Sequence, residues 1–383
     1  MKARIYHKIS AIALLALAFV FVVSCEGPEG VAGLDGVDGI DGVDGNLTCL
    51  VCHSDGNIQS VKEQFHQSVH SSGQVAVAYA GARSSCARCH SNQGFVEFAT
   101  NGTVAENIAA PTAWECSTCH GLHETFDSTD YALRLDDPIA FIFDNAVTAD
   151  FGNGNLCANC HQSRRSGPAD MGGQFVDLNG VEDDGPGGVG DDDEFEVPAG
   201  QFFISSTHYG PHHGAQSNTL YGAGFAEMTG SMSYPVAGTA THFTSGSCTS
   251  CHMAESTDTG EGGHTWNPAV DACTTCHAGA TDFDIGGTMT EIAAQLDVLR
   301  DLLEVQGVIE EGVTEIFELD PETGDIVSVL ESDGFHPVVN VFTVAQSEAF
   351  FNWVGLLEDR SFGAHNPAYT RALLTNSIEA ITP

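Results

Sequence analysis

Six pairs of thiols in this chain are each followed at once by an imidazole. Cys49 and Cys52 precede His53, Cys86 and Cys89 precede His90, Cys116 and Cys119 precede His120, Cys157 and Cys160 precede His161, Cys248 and Cys251 precede His252, and Cys273 and Cys276 precede His277. Two thiols three positions apart reach the two vinyl groups of one haem, and the adjacent imidazole falls under the porphyrin, where it can ligate the iron. Zinc needs two thiol pairs per ion, and redox dithiols or disulfides need no following His, so neither explains why His closes all six copies. Each copy is a candidate site for one covalently attached c-type haem, with the motif His as proximal ligand. Twelve of the 13 cysteines are used in this way, and Cys25 is left over.

The motifs resemble those of multihaem c-type cytochromes, which implies that each iron takes a second axial ligand. Outside the first 24 residues and the motifs there are ten histidines: His66, His70, His123, His208, His212, His213, His242, His264, His336 and His365. His123 lies three positions past His120 on the same helical turn and cannot reach the opposite face of the same haem, so it should serve a neighbouring one. The segments around His70, His242 and His264 resemble distal-ligand segments of multihaem cytochromes. Leu357 to Tyr369, with His365 inside it, resembles the C-terminal distal-His segment of nitrite reductase and octahaem cytochrome relatives. In Thr207 to Gln216 the expected ligand is His213, with His208 as the alternate. The distal set is therefore His70, His123, His213, His242, His264 and His365.

The elements that must hold these residues are expected to be short. Haem plates can replace a continuous aliphatic core, which points to a mainly α fold with much irregular coil, a multihaem cytochrome c architecture organised around six haems, with one small β-hairpin near the C-terminus. Regular folding signals begin after the last motif. Ile292, Leu296, Leu299 and Leu303 recur at helical spacing in Met289 to Val305 and should pack on the haem core. Glu315 to Leu319 and Asp325 to Leu330 flank the turn-forming Asp320 to Gly324. Helices are predicted at Ala345 to Glu358 and Pro367 to Ile381, with Pro367 in the first turn of the second.

Residues 1–24 read as a secretory signal: Lys2, Arg4 and Lys8, then an apolar run too short for a comfortable membrane span. The run ends at Val22-Val23-Ser24-Cys25, which resembles the lipobox of bacterial lipoproteins and implies lipidation of Cys25. Glu26 in place of Asp favours the outer membrane, with a periplasmic or surface-facing protein. Residues 25–47 have glycine at every third position from Gly27 to Gly45, an acidic Gly-X-Y tether rather than a stable triple helix. Residues 48–285 form the expected six-haem region, and 286–383 a helical region that packs on the haem core and supplies a distal His. An acidic insertion at about 170–200, with Asp177 to Asp184 and Asp191 to Glu194, is a candidate calcium loop. It lacks the closing Glu of an EF-hand, so a solvated segment is the simpler reading.

The formal charge of −40 becomes more negative once Lys2, Arg4 and Lys8 leave with the signal. Nucleic acid and anionic lipid surfaces would repel such a protein, whereas redox partner proteins and extracellular electron acceptors remain suitable, with a lipid anchor as the link to a membrane. The leading expectation is an electron carrier built on closely packed bis-His haems at the cell envelope, with no catalytic residues. The alternative is a multihaem reductase or oxidase of a small nitrogen or sulfur compound, with one open haem lined by Arg164 and Arg165. Against it, no motif ends in Lys as in those reductases, and Lys62 is the one lysine beyond the signal. A filament of cytochrome subunits is a third reading, for which the sequence offers no assembly interface.

Overall fold

The computed structural model describes His53 and residues 58–124, 131–177, 194–319 and 326–383. Cys25, the glycine repeat, Cys49, Cys52, most of the acidic insertion (residues 178–193) and the hairpin turn (320–325) lie outside the described residues. Up to Thr274 the chain is a series of short helices and turns joined by irregular segments, from Ile58–Gln67 and Asn92–Asn101 to Thr241–Ser245 and Val270–Thr274. Two-stranded pieces interrupt it, such as Ile139–Ala140 with Thr148–Ala149. The fold is mainly helical, with much coil and few strands.

A small core serves this part of the chain. Ile139, Phe141, Ala149, Phe151, Ala158 and Leu220 are buried together, with Phe143, Tyr221 and Phe243 against them. Ala158 lies inside the fourth motif, so this cluster seats that motif directly.

The C-terminal region is built differently. Strand β1 (Gln201–Ile204), contributed by the long interval between the fourth and fifth motifs, begins the set; helix α1 (Thr288–Val305), strands β2 (Ile309–Leu319), β3 (Ile326–Pro337) and β4 (Asn340–Thr343), and helices α2 (Val344–Asp359) and α3 (Pro367–Ile381) follow. The hairpin β2–β3 is longer than the sequence signals indicate, pairing Ile309 with Pro337 and Leu319 with Ile326 and shifting register between Gly312 and Val313. β4 turns back to pair antiparallel with β1, setting Phe202 opposite Phe342.

Capping chemistry fixes where these helices start. The Gln346 N–H donates to Thr343 Oγ1 (3.2 Å) and the Thr343 N–H donates to Gln346 Oε1 (3.0 Å), a reciprocal box at the head of α2. Asn366 Oδ1 accepts from the Tyr369 N–H (3.2 Å) ahead of Pro367 in α3. The predicted α1 stripe is buried: Ile292, Leu296, Leu299 and Leu303 pack with Phe350, Phe351, Trp353 and Leu356 of α2 and Tyr369, Leu373 and Leu374 of α3. Its partners are thus the two following helices, because a region without Cys-x-x-Cys-His motifs has to bury its apolar faces against one another. Asn352, fully buried, clamps the region to the preceding chain: its side chain accepts from the Ala226 N–H (2.9 Å) and donates to the Ala226 carbonyl (2.8 Å).

Candidate haem-binding sites

Each described motif is a single tight turn. The His120 N–H donates to the Cys116 carbonyl (3.0 Å), the His161 N–H to that of Cys157 (2.9 Å) and the His277 N–H to that of Cys273 (2.7 Å). This i to i+4 closure sets the two thiols on one face with the imidazole a turn above the first. None of the ten motif cysteines among the described residues is in a disulfide.

Every motif imidazole faces one further imidazole. Ring centres are 6.0 Å apart for His53 and His123, 5.9 Å for His90 and His212, 6.4 Å for His120 and His264, 6.1 Å for His161 and His70, 6.3 Å for His252 and His365, and 6.2 Å for His277 and His242. Metal–imidazole bonds of about 2 Å on each side of one ion separate two ring centres by roughly 6 Å. All six pairs have that spacing, so the residues fit a haem iron held between two imidazoles. Direct stacking would bring the rings closer, and a hydrogen bond between them would not recur six times at one distance. His120 and His123, three residues apart, face different partners; the helical turn expected between them does not form, because His120 is extended and bridges to Leu133 while His123 has a positive φ.

Five of the six rings chosen from sequence, His70, His123, His242, His264 and His365, face a motif imidazole. The sixth, His213, is placed differently: His212 faces His90, while His213 is exposed, its Nδ1 3.0 Å from Glu358 Oε2. The Glu358 hydrogen bond raises the His213 pKa and so favours the imidazolium, which has no lone pair to give a metal. Burial and the nearby Arg164 guanidinium instead push His212 down to about 3, and burial with His161 nearby pushes His70 down to about 4, so both stay neutral. The alternate, His208, has its Nδ1 3.3 Å from Thr207 Oγ1.

Second partners orient several rings. His120 Nδ1 lies 2.6 Å from the Tyr131 carbonyl, His252 Nδ1 2.8 Å from that of Trp266, His242 Nδ1 2.5 Å from that of Ala364, and His161 Nδ1 3.1 Å from Gln216 Oε1. His365 Nδ1 lies 2.7 Å from Asp359 Oδ1. In each of these rings Nε2 is left for a metal. The segment from Glu358 to Ala364 therefore steadies three sites at once: Glu358 through its carbonyl on Gln216 (3.1 Å), Asp359 on His365, and Ala364 on His242. Trp266 does the same elsewhere, with its carbonyl on His252 and its ring edge-on to His70 (4.8 Å) and His264 (5.5 Å).

Backbone strain marks the same places. The non-glycine residues with positive φ among those described are His123 (59°), His212 (72°), Ser247 (133°), Trp266 (55°), Arg360 (58°) and Phe362 (46°). Two are paired rings, one precedes Cys248, one is the Trp266 hub, and two lie between Asp359 and His365. A left-handed backbone at such residues costs energy and persists where surrounding contacts demand it.

The motifs adjoin one another in a definite order. Cys160 of the fourth interacts with Cys89 of the second, and Arg88 joins them further, donating to the Asn159 carbonyl (3.1 Å) with its guanidinium 3.8 Å over the Phe98 ring. Cys157 of the fourth interacts with Cys248 of the fifth, where Gly154 is required: a Cβ there would lie 2.8 Å from Cys248 Sγ. Cys119 of the third is close enough to act electrostatically on Cys157 and Cys160, and Cys251 of the fifth acts likewise on Cys273 of the sixth. The first is joined to the third through His120 and His123. The spatial order is first, third, fourth, fifth, sixth, with the second attached to the fourth. Both rings are exposed in the pairs at the two ends, His53 with His123 and His242 with His277, whereas each pair between them has at least one half-buried member.

Trp266, Asp359, Gln216, Arg88 and His212 were not selected from sequence. The signal for the first two was faint but present: Trp266 stands two residues from His264, and Asp359 six from His365.

No protein-family model matches the chain. The chain is 25% identical over 314 residues to the C-type polyheme cytochrome OmcB of Geobacter sulfurreducens, in strains DL-1/KN400 and PCA, an alignment covering 77% of this chain and 37% of the relative. It thus spans little more than a third of the length of these curated relatives. Among solved structures, the Outer Cell Wall Cytochrome OcwA aligns at a TM-score of 0.46 and 14% identity, covering 83% of this chain and 50% of that one.

Proposed function

We propose that this chain is a six-haem c-type cytochrome that carries electrons at the cell envelope, held at the outer membrane through a lipidated Cys25. The observation that carries the reading is the recurrence of six imidazole pairs at one spacing, each joining a Cys-x-x-Cys-His histidine to a distant one. Similarity to polyhaem c-type cytochromes supports it. The residues that would hold the haems are the twelve motif cysteines, the six motif histidines, and His123, His212, His264, His70, His365 and His242 in motif order.

Iron held between two imidazoles supplies reversible one-electron chemistry at low potential. The chain's part is to hold and space the centres. Motif turns present thiol pairs and a ring on one side, and the distant histidines close the other side, leaving no position for a substrate. The close approach of the second and fifth motifs to the fourth, and the shared turn of the first and third, bring neighbouring sites together. Exposed pairs at the two ends of the order give a partner access at His53 and at His277, and the acidic surface favours basic redox proteins or cationic acceptors. Extracellular acceptors are compatible with this arrangement.

A reductase with one open haem would need a motif imidazole that faces no second ring, and all six face one. Exposure of the reduced, haem-loaded protein to carbon monoxide tests the distinction. The visible spectrum is expected to stay unchanged, and a shift amounting to one haem in six would favour the reductase.

A further inference from the structure

Five of the paired histidines have ring hydrogen bonds of two kinds. Those of His120, His161, His242 and His252 end on neutral carbonyl oxygens, three from the backbone and one from Gln216. His365 instead meets a carboxylate, with Nδ1 2.7 Å from Asp359 Oδ1 and the Asp359 side chain only 2% exposed. The other carboxylate oxygen, Oδ2, accepts from Ser361 Oγ, and Ser361 Oγ accepts in turn from the His365 N–H (3.3 Å). The carboxylate is thereby held from both sides and aimed at the ring. Arg360 and Phe362, both with positive φ, bend the backbone so that residues 359 and 365 come together.

We infer that Asp359 is a positioning residue for the site between His252 and His365, making a haem held there more easily oxidised than a carbonyl partner on His365 would make it. The inference rests on the haem-binding reading above. A ring whose N–H donates to a carboxylate is a more electron-rich metal ligand than one donating to a carbonyl, because the carboxylate draws the proton away from the ring. An electron-rich ligand stabilises the oxidised, more positive metal, and the charge acts at nearly full strength because Asp359 is withdrawn from water. Ser361 moderates this effect, since a hydroxyl donating to Oδ2 takes up part of the negative charge. The consequence for the relay is a step in potential: the fifth motif lies between the fourth and the sixth, and Asp359 strengthens the tendency of an electron there to leave. Asp359 would thus bias the direction of flow by acting through His365.

The test is a potentiometric titration of the full-length, haem-loaded protein and its variants, followed by visible and electron paramagnetic resonance spectra. In Asp359→Asn one haem of six is expected to become easier to reduce by about tenfold in its equilibrium constant, which for one electron is about 59 mV. Its resonance signal should change while the other five stay in place. Ser361→Ala should move the same haem in the opposite direction, and it carries the test if Asp359→Asn fails to mature. Six haems titrating as in the parent in both variants, or a uniform shift of all six, would overturn the inference while leaving the haem reading intact. A parent protein that lacks a low-spin haem at this site would remove both.

Discussion

From Ile58 to Thr274 no helix among the described residues exceeds 10 residues, whereas α1, α2 and α3 run for 18, 16 and 15. The longer helices bury an aromatic and aliphatic core of their own, with Leu299, Leu303, Phe350, Phe351 and Leu373 fully enclosed. The shorter ones fall below the length at which helices persist in water, and the small cluster around Phe141 and Phe151 serves only the fourth motif and its neighbours. On the proposed function, the chemistry of its motifs would hold the first region: two thioether links and two metal–imidazole bonds at each site. On that reading the contrast teaches that the same chain is organised in one part by a prosthetic group and in the other by ordinary packing, with the loop between α2 and α3 serving both.

The largest test of that contrast is to withhold the haem. Chain produced without haem attachment should show near-complete loss of amide protection in the turns at 84–90, 155–158 and 248–252, while α1, α2 and α3 stay protected in hydrogen exchange. Equal protection in both regions would break the comparison. A substitution in the other region should do the reverse. Leu299→Ala, at a fully buried position, is expected to cost about 2–5 kcal/mol on the scale of large-to-small core changes, lowering the melting temperature while the visible haem spectrum at room temperature is unchanged.

The smallest effect concerns the ion pair between α1 and α3, where Arg371 Nη2 lies 2.8 Å from Glu291 Oε2 on the surface. The Arg371 hydrogen bond depresses the Glu291 pKa, so its contribution is fully present above the ordinary carboxylate range and is lost as pH falls through the depressed value. Both side chains are partly solvated, and Arg371→Ala should therefore cost at most about 1 kcal/mol near neutral pH and less in acid. A thermal melt at two pH values measures it.

The motifs and the helical stripe of α1 were legible because each is local: a fixed spacing in the first case, a period of 3.6 in the second. So were α2 and α3, whose capping residues lie within a turn of their apolar faces. Partner assignment was not local. His161 is paired with His70, 91 positions earlier, and His120 with His264, 144 positions later, and no spacing rule relates them. His123 could be assigned to a neighbouring site because it stands only three positions from His120, although the helical turn expected there does not form. The choice between His212 and His213 turned on Glu358, a residue far along the chain whose approach depends on the completed fold. Asp359 left only a faint signal for a related reason, since a carboxylate six residues from a histidine becomes its partner only through the two left-handed residues between them.

The central claim is that six covalently bound irons are each held between two histidines. Intact mass and electron paramagnetic resonance of the oxidised, matured protein measure it most directly. The account predicts a mass increment of six haems and spectra made up entirely of low-spin, bis-imidazole centres; fewer haems, or a substantial high-spin signal, would contradict it.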